Sequence, residues 1–198
     1  MPFVLTEQST DPSIQKLAEI LDRCISGDLL AFRPLVEEYQ GYAFSVAFRV
    51  LCDEEEARDV VQESFIRIWS NLRRYNREVK FTTWMYSIVT HLCYDKLRSR
   101  KKRGATAIDA VDPSLLASVA VEDNPERLFN NKELAGVITM LTEKLPPKQK
   151  MVFVLRDLQG LSVREVSDIL GVSEGSVKTN LVYARRYLRE QLKPIISD

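Results

Sequence analysis

The sequence predicts an all-α protein: two helical domains joined by a flexible acidic linker. Apolar residues recur at three- and four-residue spacing through both halves of the chain, no stretch alternates as a half-buried strand would, and the helical period lapses between residues 104 and 131. The 198 residues suffice for two domains, each of roughly 70–100 residues. We place the domains at 25–103 and 132–193, with the linker at 104–131.

Leu17, Ile20, Leu21 and Cys24 lie on one helical face, and Gly27 is a plausible stop. A second helix is expected from near Asp28 through Leu30, Phe32, Leu35, Val36 and Tyr39, with Pro34 marking a first turn or a kink. Gly41 is expected to separate it from a further helix over Tyr42 to Leu51. Asp53 is a good N-cap for the next, which runs to about Leu72, with Glu54 to Glu56 placed favourably against its positive end. Trp84, Met85, Ile88, Val89, Leu92 and Leu97 predict a helix from Thr82 or Thr83 to Arg98. Residues 104–131 are small, acidic and broken by Pro113 and Pro125, which reads as a linker. Short helices follow at about 132–144, 148–157, 163–170 and 174–192.

Composition narrows the class. The chain is 45% hydrophobic and 28% charged, and no apolar run approaches the ~20 residues that span a bilayer. The first residues lack a basic, then apolar, secretory pattern. Cys24, Cys52 and Cys93 are scattered and odd in number, as expected of reduced thiols in a cytoplasmic protein. Net charge is zero, yet its distribution is uneven. Residues 53–63 carry six acids against Arg58; residues 96–103 carry Lys96, Arg98, Arg100, Lys101, Lys102 and Arg103 with no acid. The linker is acidic, and the stretch from Lys178 to Lys193 is basic again. Alternating blocks suit a protein that touches both another protein and a nucleic acid; solvated helix faces produce the same pattern.

The strongest local signal is LSVREVSDILGVSEGSVKTNLVYARRYLREQL, residues 161–192. Ser162 and Glu165 form a capping box ahead of Val166, Ile169 and Leu170. Gly171 sits where the chain must turn with positive φ, and Val172 can plug the corner. Ser173 caps a second helix whose Val177, Leu181, Ala184, Leu188 and Leu192 face the domain. This is a helix-turn-helix. Glu174, Ser176, Lys178, Thr179 and Asn180 are then placed to meet base edges in a major groove, with Arg185, Arg186 and Arg189 further along near phosphates. An ordinary pair of packed helices is the plainer alternative.

Two longer stretches carry a resemblance. EEARDVVQESFIRIWSNL followed by FTTWMYSIVTHLCYDKLRSRKKR resembles the second region of sigma-70-family factors, and LPPKQKMVFVLRDLQGLSVREVSDILGVSEGSVKTNLVYARRYLREQL resembles their fourth. Together they cover about 25–103 and 132–193, leaving no room for the other structured regions of the housekeeping factors, which is similar to the extracytoplasmic-function (ECF) group. The resemblance implies docking on core RNA polymerase through Asp59, Gln62, Glu63, Phe65 and Trp69; for Phe65 and Trp69 core packing is the competing role. It implies capture of an unpaired −10 base around Tyr75 to Phe81, Trp84 and His91, with Lys96, Arg98, Arg100 and Lys101 on phosphates. Trp84 fits a core position equally well. It implies −35 recognition through Glu174, Ser176, Lys178, Thr179, Asn180, Arg185 and Arg186. The linker is either a thread toward the polymerase cleft or a plain tether. Promoter DNA, core polymerase and an anti-sigma factor are the implied partners, with no cofactor, metal or membrane insertion.

The chain also departs from the family pattern. His91 stands where relatives usually carry Asn, and VKTNLVYAR stands where many read VKSRLHRAR. Ser167 replaces a small residue that is often Ala. A stand-alone helix-turn-helix regulator would instead bind an operator without polymerase, and the Asp59–Trp69 motif argues against it. An enzyme has little support: there is one His, no Gly-rich phosphate loop and no nucleophile motif.

Overall fold

The computed structural model describes residues 12–103 and 140–196, and no strand occurs among them. The linker, and most of the helix expected at 132–144, lie outside the described residues. Among the described residues the main helices are, in order, α1 (Pro12–Ile25), α2 (Phe32–Leu51), α3 (Glu54–Asn71), α4 (Phe81–Arg103), α5 (Pro147–Phe153), α6 (Val163–Leu170) and α7 (Glu174–Ile196), with residues 140–143 also helical ahead of α5. Helices α2, α3 and α4 pack as a three-helix bundle with α1 against one end; α5 and α6 pack on α7 to form the second group.

Asp28 caps a short 3₁₀ turn, Leu29–Ala31, instead of an α-helix; its carboxylate accepts from the Leu30 and Ala31 amides at 3.0 and 3.3 Å and pairs with Arg23 at 2.6 Å. Helix α2 then runs unbroken through Gly41, contrary to the division expected there. The reason is packing: Leu35, Tyr39, Ala43, Val46, Ala47 and Val50 make one continuous buried stripe, and Gly41 lies on the exposed face. A glycine in a helix interior costs only about 1 kcal/mol, which that stripe outweighs. Pro34 sits in the first turn, where its missing N–H has no intrahelical partner to lose.

The Asp53 cap forms as expected, its carboxylate accepting the Glu56 amide at 2.8 Å. Helix α5 ends in a π-turn over Val154–Leu158, in which the Gln159 amide donates to the Val154 carbonyl at 2.9 Å.

The two helical groups are not independent. Helix α4 packs on α6 and α5, and the π-turn packs on α2. One apolar cluster runs from Leu21 through Phe81, Met85 and Val89 into Val152, Leu155, Val166, Ile169 and Val177. Arg49 Nη1 donates to the Leu158 carbonyl at 2.8 Å, Gln159 Nε2 to Ser45 Oγ at 2.9 Å, and Lys80 Nζ pairs with Glu165 at 2.9 Å. The domains are docked.

Candidate protein and nucleic-acid interfaces

Helix α3 buries Ala57, Val60, Ser64, Phe65 and Ile68 and turns Asp59, Gln62 and Glu63 outward. Glu63 pairs with Arg67 one turn on at 2.9 Å, and Asp59 with Lys96 of α4 at 3.2 Å. Between α2 and α3 lies a trough of about 780 Å³, lined among others by Leu29, Phe32, Phe44, Gln62, Ile66 and Trp69. Phe65 is buried and Trp69 half-buried, and both meet the Phe32 ring edge-on, at 6.2 and 5.0 Å. Both therefore pack as well as line the trough. Ile66 is 54% exposed on its rim. Sequence reasoning missed the trough, because its α2 wall lies some thirty residues from the motif that drew attention to α3.

The second candidate surface is the start and outer face of α4. Tyr75 stacks on Trp84 at 4.8 Å, and both rings meet Phe81 edge-on. The Tyr75 hydroxyl donates to the Val79 carbonyl, which shapes the intervening loop. Trp84 is half-buried, so it serves the core and still presents an edge. His91 is exposed, and its Nδ1 donates to the Ser87 carbonyl. Arg98 is exposed, whereas Arg100 turns inward: its guanidinium binds the Leu51 carbonyl, Asp53 and Glu56 at 2.9, 3.4 and 2.9 Å. The side chain of Lys101 lies outside the described residues.

The third is the helix-turn-helix of α6 and α7. The capping box is present in both directions, and Gly171 ends α6 with φ 62°. Ser167 has a role its size did not suggest: its hydroxyl donates to the Val172 carbonyl and ties the turn. Ser173 Oγ accepts the Ser176 amide at 3.2 Å. Glu174, Lys178 and Thr179 are exposed at the start of α7, while Asn180 Nδ2 bonds the Ser176 carbonyl at 2.8 Å. Arg185 is held in a two-pronged pair with Asp157 at 2.6–2.7 Å, so its guanidinium braces the domain. Arg186 lies 5.2 Å from the exposed Tyr183 ring.

All three cysteines are buried, and burial raises each thiol, Cys93 to about 12. No helix among the described residues is long and apolar enough to cross a membrane.

Sigma-70 region 2 matches residues 35–103, and Sigma-70, region 4 matches residues 136–188. The ECF RNA polymerase sigma factor SigW of Bacillus subtilis is 34% identical over 175 residues, covering 85% of this chain and 92% of that protein. This chain belongs to the ECF sigma factors. The ECF RNA polymerase sigma-E factor of Salmonella typhimurium is 30% identical over 196 residues, covering 97% and 99%. The fold is shared with solved sigma factors: RpoE of Bartonella quintana, solved with the anti-sigma factor NepR, superposes with a TM-score of 0.64 at 17% identity, over 82% of this chain and 96% of that one. CnrH, solved with the cytosolic domain of CnrY, gives 0.64 at 22% identity, over 91% and 98%. As a sigma factor of this group, the protein acts in promoter-specific transcription initiation.

Proposed function

We propose that this sigma factor docks on core RNA polymerase through the outward face of α3 and the adjoining trough, opens the −10 element with α4, and reads the −35 element with α7. The observation that carries the reading is the face of α3: Gln62 borders the apolar trough, and the neighbouring Glu63 lines, with Asp59 and Lys96, a hollow on the side toward α4, on a chain that also holds a helix-turn-helix. An apolar anchor site beside polar groups is what a specific protein partner fills. The domain boundaries are those placed above, 25–103 and 132–193.

Within α4, the Tyr75–Trp84 stack and the neighbouring loop offer aromatic surface on which an unstacked base can rest. Arg98, exposed, and Lys96, half-buried and paired with Asp59, supply positive charge three to four turns further along α4. In α7, Glu174, Ser176, Lys178, Thr179 and Asn180 face the groove, and Arg186 reaches phosphate; Arg100 and Arg185 shape the surfaces from within. The protein works in the cytoplasm, where polymerase and DNA are, without covalent chemistry of its own and under an anti-sigma factor. Neither domain needs tight DNA affinity alone, because both are tethered to one enzyme.

The test is transcription in vitro. Core polymerase with this protein should initiate at a discrete promoter, and core polymerase alone should not. The double variant Gln62→Ala, Glu63→Ala should lose at least tenfold in core affinity while its thermal midpoint stays close to wild type, since both side chains are exposed. Undiminished core binding would remove the docking assignment; no initiation by the wild type would remove the functional reading.

A further inference from the structure

At the end of α2 the chain turns through Cys52, which sits in the left-handed region at φ 54°. A side chain is crowded there, and helix ends favour glycine at such a position. Cys52 is the one residue other than glycine with positive φ among the described residues. Its Sγ lies 3.7 Å from Lys150 Nζ, which reaches over from α5, 98 residues on in sequence. The same ammonium donates to the Val50 carbonyl at 3.0 Å.

Lys150 is 2% exposed and Cys52 7%. A lysine is seldom buried without a carboxylate, yet a carbonyl and a thiol are what this one touches. The pair belongs to none of the three candidate surfaces. Burial pushes the Cys52 thiol up, and the charge of Lys150 draws it partly back. One buried thiol of the three thus has a nitrogen held against its sulfur. A cleft of about 670 Å³, lined by Leu97, Arg98, Pro147 and Lys150 itself, opens beside the pair. A small neutral molecule such as hydrogen peroxide fits it.

We propose that Cys52 and Lys150 are an oxidation site for hydrogen peroxide, at which the two side chains close into a sulfenamide, a direct S–N bond. The Cys52 thiol releases its proton to solvent and the sulfur attacks peroxide. An S–O bond forms, the O–O bond breaks, and the departing hydroxide takes a proton from the Lys150 ammonium and leaves as water. A sulfenic acid that meets a nitrogen condenses with it. Nζ, now a neutral amine, attacks the sulfenic sulfur; the S–N bond forms, the S–O bond breaks, and the second hydroxide takes a proton from nitrogen. Sulfur is oxidised by two electrons and one peroxide becomes two waters. A thiol reductant reverses the step: it attacks sulfur, the amine leaves with a proton, and a second thiol frees Cys52 and departs as the disulfide. While it lasts, the bond ties α2 to α5. The site rests on this geometry alone and on none of the polymerase or promoter contacts proposed above.

The full-length protein is treated with hydrogen peroxide, blocked with iodoacetamide, digested with trypsin and read by peptide mass spectrometry. The wild type should give residues 50–58 joined to residues 149–156, since trypsin no longer cuts at the modified Lys150. The joined species should have the summed mass of the two peptides less two hydrogens. Dithiothreitol should abolish it and restore a Cys52 that alkylates on unfolding. In Lys150→Met, which keeps the stem without the amine, Cys52 should pass on to the sulfinic acid at least fivefold more than in the wild type at equal exposure. Buried Cys24 in α1 reports the fold of that variant, and its alkylation before oxidation should be unchanged. Wild-type Cys52 found as the sulfinic acid, or in a disulfide with Cys93, while trypsin still cuts at Lys150, overturns the proposal. So does a wild-type Cys52 that stays a thiol at a peroxide dose that oxidises the exposed Met140. Should Cys24 become reactive in Lys150→Met, the wild-type cross-link alone decides.

Discussion

Glu165 closes the capping box of α6 with Ser162 and reaches across the domain boundary to Lys80. Its carboxyl is held down to about 2, first by the Lys80 hydrogen bond and then by the Ser162 donors. A carboxylate whose folded value is depressed stabilises the fold fully above its ordinary value, near 4.5, and loses that contribution as pH falls toward 2. Stability by urea titration should therefore drop between about pH 4.5 and pH 2. Glu165→Gln, which keeps an acceptor for the cap but no charge, should flatten that part of the profile. The capping box was legible in the sequence because its two residues are three apart. The internal partners of Arg100 and Arg185 were not legible for the opposite reason: they lie up to 49 and 28 residues away in sequence. For Arg185 and Asp157, a double-mutant cycle on thermal stability should return a coupling of about 0.5–1 kcal/mol, the range of a well-aligned surface pair.

At the scale of elements, periodicity located the helices and capping chemistry fixed several of their ends, with α6 placed at 163–170 as found. It failed where one element was read as two. Gly41 suggested a break in α2, yet a Cβ built there meets nothing within 4 Å. Gly41→Ala should accordingly stabilise the protein by up to about 1 kcal/mol, raising the calorimetric midpoint by about 2–4 °C. Gly171 is the contrasting case. Its φ of 62° is strained for any side chain, so Gly171→Ala should destabilise by about 1 kcal/mol, and circular-dichroism melts of the two variants should move in opposite directions. The π-turn at Val154–Leu158 was read as plain helix, because a single i→i+5 turn leaves no mark on apolar spacing.

For the whole molecule, the division into two helical domains was legible and their docking was not. Lys150 sits at the head of an apolar run, KMVFVL, and nothing local says that its ammonium will be buried against a helix end a hundred residues away. Since one apolar cluster crosses the boundary, heating should unfold both domains in a single calorimetric transition. Arg49→Ala, which removes the donor to the Leu158 carbonyl, should broaden or split that transition. The trough between α2 and α3 bears on supply as well as recognition. Its apolar lips, Leu29 and Ile66, are wetted in every copy that lacks a companion. Overproduction should thus convert surplus molecules into aggregates, and any ligand that fills the furrow should act as a solubiliser.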